Sequence, residues 1–243
     1  MTEVRVLPDV DSLASAVAGA LIDATIEAQR VRGTAHLVLT GGGVGIATLA
    51  AVRDHPRCAD VDWNRVDLWW GDERYLPTGD PERNETQARA ALLDHIPLDP
   101  SRVHPMAPAG TDADADALAY ADELAAHATD GEPVPRFDVL MLGMGPEGHV
   151  ASLFPDSPAV HSAASVVAVH GSPKPPPTRI SLTLPSLRSA TAVWIIAAGE
   201  PKAEAVERCV DPHADPVEIP AAGARGRQST IVWADSAAAS RLP

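Results

Sequence analysis

His36-Leu-Val-Leu-Thr-Gly-Gly-Gly-Val-Gly45 is the stretch that decides the fold. Its first five residues, His36–Thr40, form an apolar run of strand length that breaks directly into Gly41-Gly42-Gly43, and a helical pattern follows from about Gly45 to Asp54. A strand that turns through glycines into a helix is half of a β-α-β unit. A continuously apolar strand, as opposed to an alternating one, expects cover on both faces of a parallel sheet. Two further strands end in the same manner: Val66–Trp70 at Gly71-Asp72-Glu73-Arg74, and Asp138–Leu142 at Gly143.

Around these three strands the pattern continues. Val4–Leu7 reads as a short strand. Asp9 or Asp11 caps a helix running to about Arg32, where Leu13, Val17, Leu21 and Ala24 keep the helical period and Gly33 stops it. Helices are predicted over Asn84–His95, Asp112–Thr129, Pro201–Cys209 and, briefly, around His149–Phe154. Strands are predicted at Val166–Val169, Ile180–Leu184, Val193–Ala197 and Thr230–Trp233. The alternation predicts an α/β fold: a mostly parallel sheet with helices on both faces, one domain over 1–243, and room for a small extra lobe. Gly171 to Thr178, with four prolines, reads as a stiff loop between strands.

Composition narrows the function. With 19 Lys plus Arg against 33 Asp plus Glu, the net charge is −14, which is adverse for a nucleic-acid binder. Cys58 and Cys209 match no metal or redox spacing and read as a pair of thiols. Met1 to Pro8 lacks the apolar run of a signal peptide, and no apolar stretch reaches the roughly 18 residues of a membrane span. A cytoplasmic protein, monomer or homodimer, is expected, with no membrane or nucleic-acid partner.

In open parallel sheets, ligands bind outside the carboxyl ends of the strands. Four segments at predicted strand ends carry chemistry: Thr40–Gly45, Gly71–Pro77, Gly143–Ser152 and Gly199–Lys202. Gly41, Gly42 and Gly43 let backbone N–H groups approach an anion at a helix start. No Lys-Ser/Thr follows them, so a nucleotide P-loop is not implied. Arg74 can grip a phosphate through paired hydrogen bonds. Gly143, Gly145 and Gly148 fit a dinucleotide fingerprint, but Val160–Gly171 holds no acidic residue for a ribose. What stands out in that turn is His149, an imidazole able to take a proton from water and return it, with Glu147 two residues before it. Lys202, one of only two lysines, opens a predicted helix; Lys174 and Arg179 flank the Pro loop as further anion candidates. No His-Glu-x-x-His, paired Cys or clustered His suggests a metal, and no Gly-x-Ser-x-Gly elbow suggests a serine hydrolase.

Taken together, Leu39-Thr-Gly-Gly-Gly43, Trp70-Gly-Asp-Glu-Arg-Tyr-Leu-Pro77, Asn84, Leu142-Gly-Met-Gly-Pro-Glu-Gly-His-Val-Ala-Ser-Leu-Phe-Pro155, Pro173-Lys-Pro-Pro, Arg179-Ile-Ser-Leu-Thr183 and Gly199-Glu-Pro-Lys202 closely resemble the 6-phosphogluconolactonase family. The resemblance implies a modified Rossmann-like fold shared with glucosamine-6-phosphate deaminase. It implies hydrolysis of 6-phosphoglucono-δ-lactone to 6-phosphogluconate, the second step of the oxidative pentose phosphate pathway, without metal or organic cofactor. Carried over, His149 is the general base, with Glu147 beside it. Arg74, Arg179 and Lys202 line the phosphate site, Gly41–Gly43 supply backbone donors, and Asp72, Asn84 and Lys174 fall within its matching segments. Two positions depart from the family: Glu147 stands where Asp is usual, and Arg83 where Ser is frequent before the Asn. The rival readings are a glucosamine-6-phosphate deaminase/isomerase, whose relatives carry Asp-Glu-Tyr where this chain has Asp72-Glu73-Arg74, and a non-catalytic sugar-phosphate-binding domain.

Overall fold

A computed structural model describes residues 2–242. Six parallel strands form the central sheet: β1 (Glu3–Leu7), β2 (Ala35–Leu39), β3 (Val66–Trp70), β5 (Val139–Gly143), β8 (Ala192–Ala197) and β9 (Ser229–Asp235), in the order β1-β9-β8-β5-β2-β3. The predicted strands at these positions are all present. A second, antiparallel sheet joins β4 (Asp72–Arg74), β7 (Arg179–Leu182) and β6 (Val166–Val169) in the order β4-β7-β6. β4 continues from β3 after Gly71, whose N–H donates to Leu39 O at 3.1 Å while its carbonyl accepts from Leu182 N at 2.9 Å. Gly71 thus ties the two sheets together.

The helices are α1 (Val10–Arg32), α2 (Gly43–Asp54), α3 (Asn84–Ala91), α4 (Ala113–Ala126), α5 (Leu184–Arg188), α6 (Ala203–Val210) and α7 (Pro220–Gly223). Asp9 is the cap of α1, accepting from Ser12 N at 2.7 Å, and Gly33 closes it at φ 81°. Neighbouring strand residues feed opposite cores. Leu37, Leu39, Leu68, Trp70 and Met141 pack with Leu13, Val17 and Leu21 of α1 and Leu49 and Val52 of α2. Val38, Trp69, Leu140 and Leu142 pack with Tyr120 and Leu124 of α4 and Val206 of α6. This two-sided burial is what the continuously apolar strands require.

Three expectations are corrected. His149–Phe154 is not a helix: Val150 bridges both Met144 and Leu153, and Gly148 and Ala151 have φ of 87° and 48°, which a helix cannot hold. Asp72–Arg74, expected as loop, is a strand. The strand predicted over Ile180–Leu184 ends at Leu182, because Pro185 starts α5. Among the described residues no helix is long and apolar enough to cross a membrane.

Candidate active site

The sheet order reverses between β2 and β5. From β2 the chain steps outward to β3, while β5 lies on the other side, so the loops after β2 and β5 diverge and leave a crevice. Thr40 pins that crevice, its Oγ1 accepting from Gly143 N at 3.0 Å. A cleft of about 170 Å³ opens here, lined by residues from four strand ends, among them Gly41, Gly42, Asp72, Arg74, Asn84, His149, Arg179 and Lys202. Residues 41–202 of the chain thus converge on one polar hollow.

Each wall has a local cause. Gly42 precedes α2 at φ 80°, a conformation glycine adopts freely, and it leaves the helix amino end facing the cleft. Gly41 lies against Asn84, whose Oδ1 occupies the space a Cβ would need. Asn84 is itself fixed: its Nδ2 donates to Asp72 O at 2.9 Å and its N–H to Glu73 Oε1 at 2.7 Å. Glu73 also accepts from Arg74 N and Glu85 N, so a carboxylate from β4 caps α3 from outside that helix. Burial raises its pKa, against the pull of those three amides and Arg83. Arg83, wholly buried, donates to Met106 O at 2.8 Å and to Leu76 O and Ala107 O. Arg83 is therefore a clamp on the loop behind the site.

The three cations meet the cleft with different freedom. Arg179 is held by Pro175 O (3.0 Å), Lys174 O (3.2 Å) and Pro176 O (3.3 Å), and its Nη1 lies 3.9 Å from Asp72 Oδ2. Lys202 donates to Met144 O at 2.6 Å, and burial lowers its pKa, followed by the charge of Lys174. Arg74 donates to Glu82 O. Asp72 accepts from Ser152 Oγ at 2.6 Å, which gives the Ala-Ser-Leu-Phe segment a structural job beside the site.

His149 stacks on Phe154 with ring centroids 4.5 Å apart. Its side chain is 17% exposed; Nδ1 is buried without a hydrogen-bond partner, and Nε2 is engaged by no described residue. Glu147 Oε1 stands 3.1 Å from Nδ1, at ion-pair distance but out of hydrogen-bond alignment. Burial pushes the imidazole pKa below its ordinary value; Glu147 and Asp72 oppose that shift, and Lys174 adds to it. The shift favours the neutral ring. Gly145 makes the geometry possible, since a Cβ there would overlap His149 Nδ1 and Cε1. In the sequence that glycine belongs to the dinucleotide-like pattern and to the Leu142–Pro155 segment, neither of which marks its contact with the ring.

Gly43, Glu147 and Lys174 are not among the lining residues. Gly43 is the first residue of α2, and Lys174 is bound to Glu147 at 2.8 Å. Among the described residues no group of three or more His, Cys, Asp or Glu is placed to hold a metal ion.

A family described as glucosamine-6-phosphate isomerases/6-phosphogluconolactonase matches residues 8–233. The 6-phosphogluconolactonase of Streptomyces coelicolor is 55% identical over 242 residues, which cover 97% of this chain and 92% of that one. Its counterpart in Mycobacterium tuberculosis is 50% identical, covering 100% and 99%. Among solved structures, 6-phosphogluconolactonase from Trypanosoma brucei superposes with a TM-score of 0.84 at 26% identity, covering 100% and 99%.

Proposed function

The chain belongs to the glucosamine-6-phosphate isomerase/6-phosphogluconolactonase family, and from that premise we propose that it hydrolyses 6-phosphoglucono-δ-lactone to 6-phosphogluconate with His149 as general base. One observation carries the reading. An imidazole with an unengaged Nε2 faces the same cleft as Arg74, Arg179, Lys202 and the amino end of α2. The cations and the Gly41–Gly43 backbone take the doubly negative phosphate, with Arg and backbone amides as charge-assisted donors. That fixes the lactone carbonyl within reach of a water on His149.

Nε2 accepts a proton as that water adds to the carbonyl. The tetrahedral intermediate then collapses by breaking the bond to the ring oxygen, and the imidazolium returns its proton to that leaving oxygen. Proton transfer of this kind contributes roughly 10²–10⁴ in rate. In this reading the cationic lining, Arg179 and Lys202 included, also offsets charge on the developing oxyanion. No step requires a metal or an organic cofactor.

His149→Ala is expected to leave KM nearly unchanged and to lower kcat by about 10²–10⁴, measured by lactone opening with the spontaneous reaction subtracted. Near-normal turnover would sink the assigned base. Arg74→Ala is expected mainly to raise KM for the phosphorylated lactone and to erode discrimination against unphosphorylated gluconolactone. Release of ammonia from glucosamine 6-phosphate would move the chain to the isomerase branch.

A further inference from the structure

Lys174 sits in the Pro loop beside Arg179 and looks, from sequence, like one more phosphate ligand. Its surroundings assign it elsewhere. The ammonium lies 2.8 Å from Glu147 Oε1 and 2.9 Å from Oε2, so it occupies both oxygens of that carboxylate. Glu147 Oε1 is also the atom nearest His149 Nδ1, at 3.1 Å, yet the two are not aligned to bond. The loop that brings Lys174 here is fastened by Arg179, which donates to the carbonyls of Lys174, Pro175 and Pro176.

We infer that Lys174 is a positioning residue for the base: by holding both oxygens of Glu147 it keeps that carboxylate from bonding Nδ1 and leaves the imidazole free to take a proton at Nε2. The inference rests on the assignment of His149 as base. On this account Glu147 carries its carboxylate out to the Pro loop. The same loop carries Arg179, so phosphate grip and base poise share one scaffold. The charged groups around His149 are Glu147 in its own turn, Lys174 from the Pro loop, Asp72 and Arg74 from β4, Arg179 from β7 across Phe154, and Lys202 before α6. Of these, only Glu147 is both at contact distance from the ring and committed to Lys174.

The signs follow directly. Removing the Lys174 charge frees Glu147 to bond the imidazolium, which raises the pKa of the base and moves the acid limb of kcat/KM to higher pH. Removing the Glu147 charge moves that limb to lower pH. Lys174→Met is therefore expected to shift the limb upward by about 0.5–1 pH unit, Glu147→Gln to shift it downward, and Lys174→Arg to restore the parent profile. In the Glu147→Gln background, Lys174→Met should move the limb less, since only the direct effect of the ammonium charge on the ring is left. KM for the lactone should stay near the parent value in Lys174→Met. Titration of the His149 ring by NMR, assigned by its loss in His149→Ala, reports the same shifts without substrate. A several-fold rise in KM with an unmoved limb would make Lys174 a phosphate ligand and overturn the inference. An equal limb shift in both backgrounds would also overturn it. Turnover retained by His149→Ala would instead strike the base assignment itself.

Discussion

Two imidazoles, His104 buried and His149 half-buried, stand at opposite ends of the parallel sheet, and they are driven in opposite directions. His149 lies past the carboxyl ends of the strands. His104 lies near the amino ends, beside Asp67 of β3, under α4. Both rings stack on an aromatic, Phe154 at 4.5 Å and Trp69 at 3.9 Å, and both have carboxylates in reach. His104, with its side chain only 3% exposed, presents Nδ1 to Glu123 at 2.8 Å and Nε2 to Asp67 at 3.2 Å. Burial alone would lower its pKa, but those two bonds outweigh it and the net shift is upward. His149 meets one carboxylate, misaligned and already taken by Lys174, and its net shift is downward. Burial is common to both sites. What differs is whether each ring nitrogen has an aligned, unshared anion. One arrangement favours the charged ring and joins α4 to the sheet; the other favours the neutral ring that the proposed base needs.

The largest effect that tests this contrast is on stability. His104→Ala leaves Asp67 and Glu123 without their shared cation and opens a void beside Trp69. A loss of about 3–5 kcal/mol is expected from breaking a buried pair, read as a lower urea midpoint. Arg102, 2.6 Å from Asp67, limits the loss by keeping that carboxylate paired. The sign with pH follows from the raised folded-state value: the contribution of His104 is fully present below the unfolded imidazole pKa and fades as pH rises through the folded one. A variant as stable as the parent at about pH 6 would show that His104 is not the charged link between helix and sheet.

A second test is directed at the base without touching it. Gly145→Ala places a methyl where the His149 ring now lies, so the imidazole must turn or the turn must open. The expected loss is about 10–100-fold in kcat, equal to roughly 1.4–2.7 kcal/mol of barrier, with the urea midpoint changed far less than by His104→Ala. Equal damage to both quantities would mean that the turn is a folding element first. Unchanged kcat would mean that the ring position is not set by this contact.

Much of this was legible in the chain. The glycine-terminated apolar strands at His36–Thr40, Val66–Trp70 and Asp138–Leu142 carry their own two-sided burial, and Asp9 and Gly33 mark the ends of α1 by local bonding. His149, Arg74, Arg179, Lys202 and Asn84 could be picked because they sit at strand ends or in family motifs, and they share one cleft. What was hidden depends on partners distant in sequence. β4 is a charged tripeptide that becomes a strand only by pairing with β7, more than 100 residues on. The Lys174–Glu147 pair spans 27 positions. His104 gave no signal, since Asp67 lies 37 positions before it and Glu123 19 after. Arg83 stood out only as a departure, and its fully buried place behind the site could not be read from its polarity.

The smallest effect separates charge from geometry in the His104 link. Glu123→Gln keeps an oxygen that can accept from Nδ1 but removes the charge. The Glu123 side chain is 40% exposed, so solvent screens most of its attraction. The expected loss is under about 1 kcal/mol at about pH 6, shrinking toward zero at about pH 9 as His104 gives up its proton. The alkaline fall of stability should also begin at lower pH, because one of the two anions that hold the ring charged is gone. Turnover should not change, since Glu123 acts at the other end of the sheet. A loss that stayed the same at both pH values would mean that Glu123 acts by something other than its attraction for a charged His104. The opposite shifts of the two imidazoles would then rest on Asp67 alone at the amino end, against Lys174-masked Glu147 at the carboxyl end.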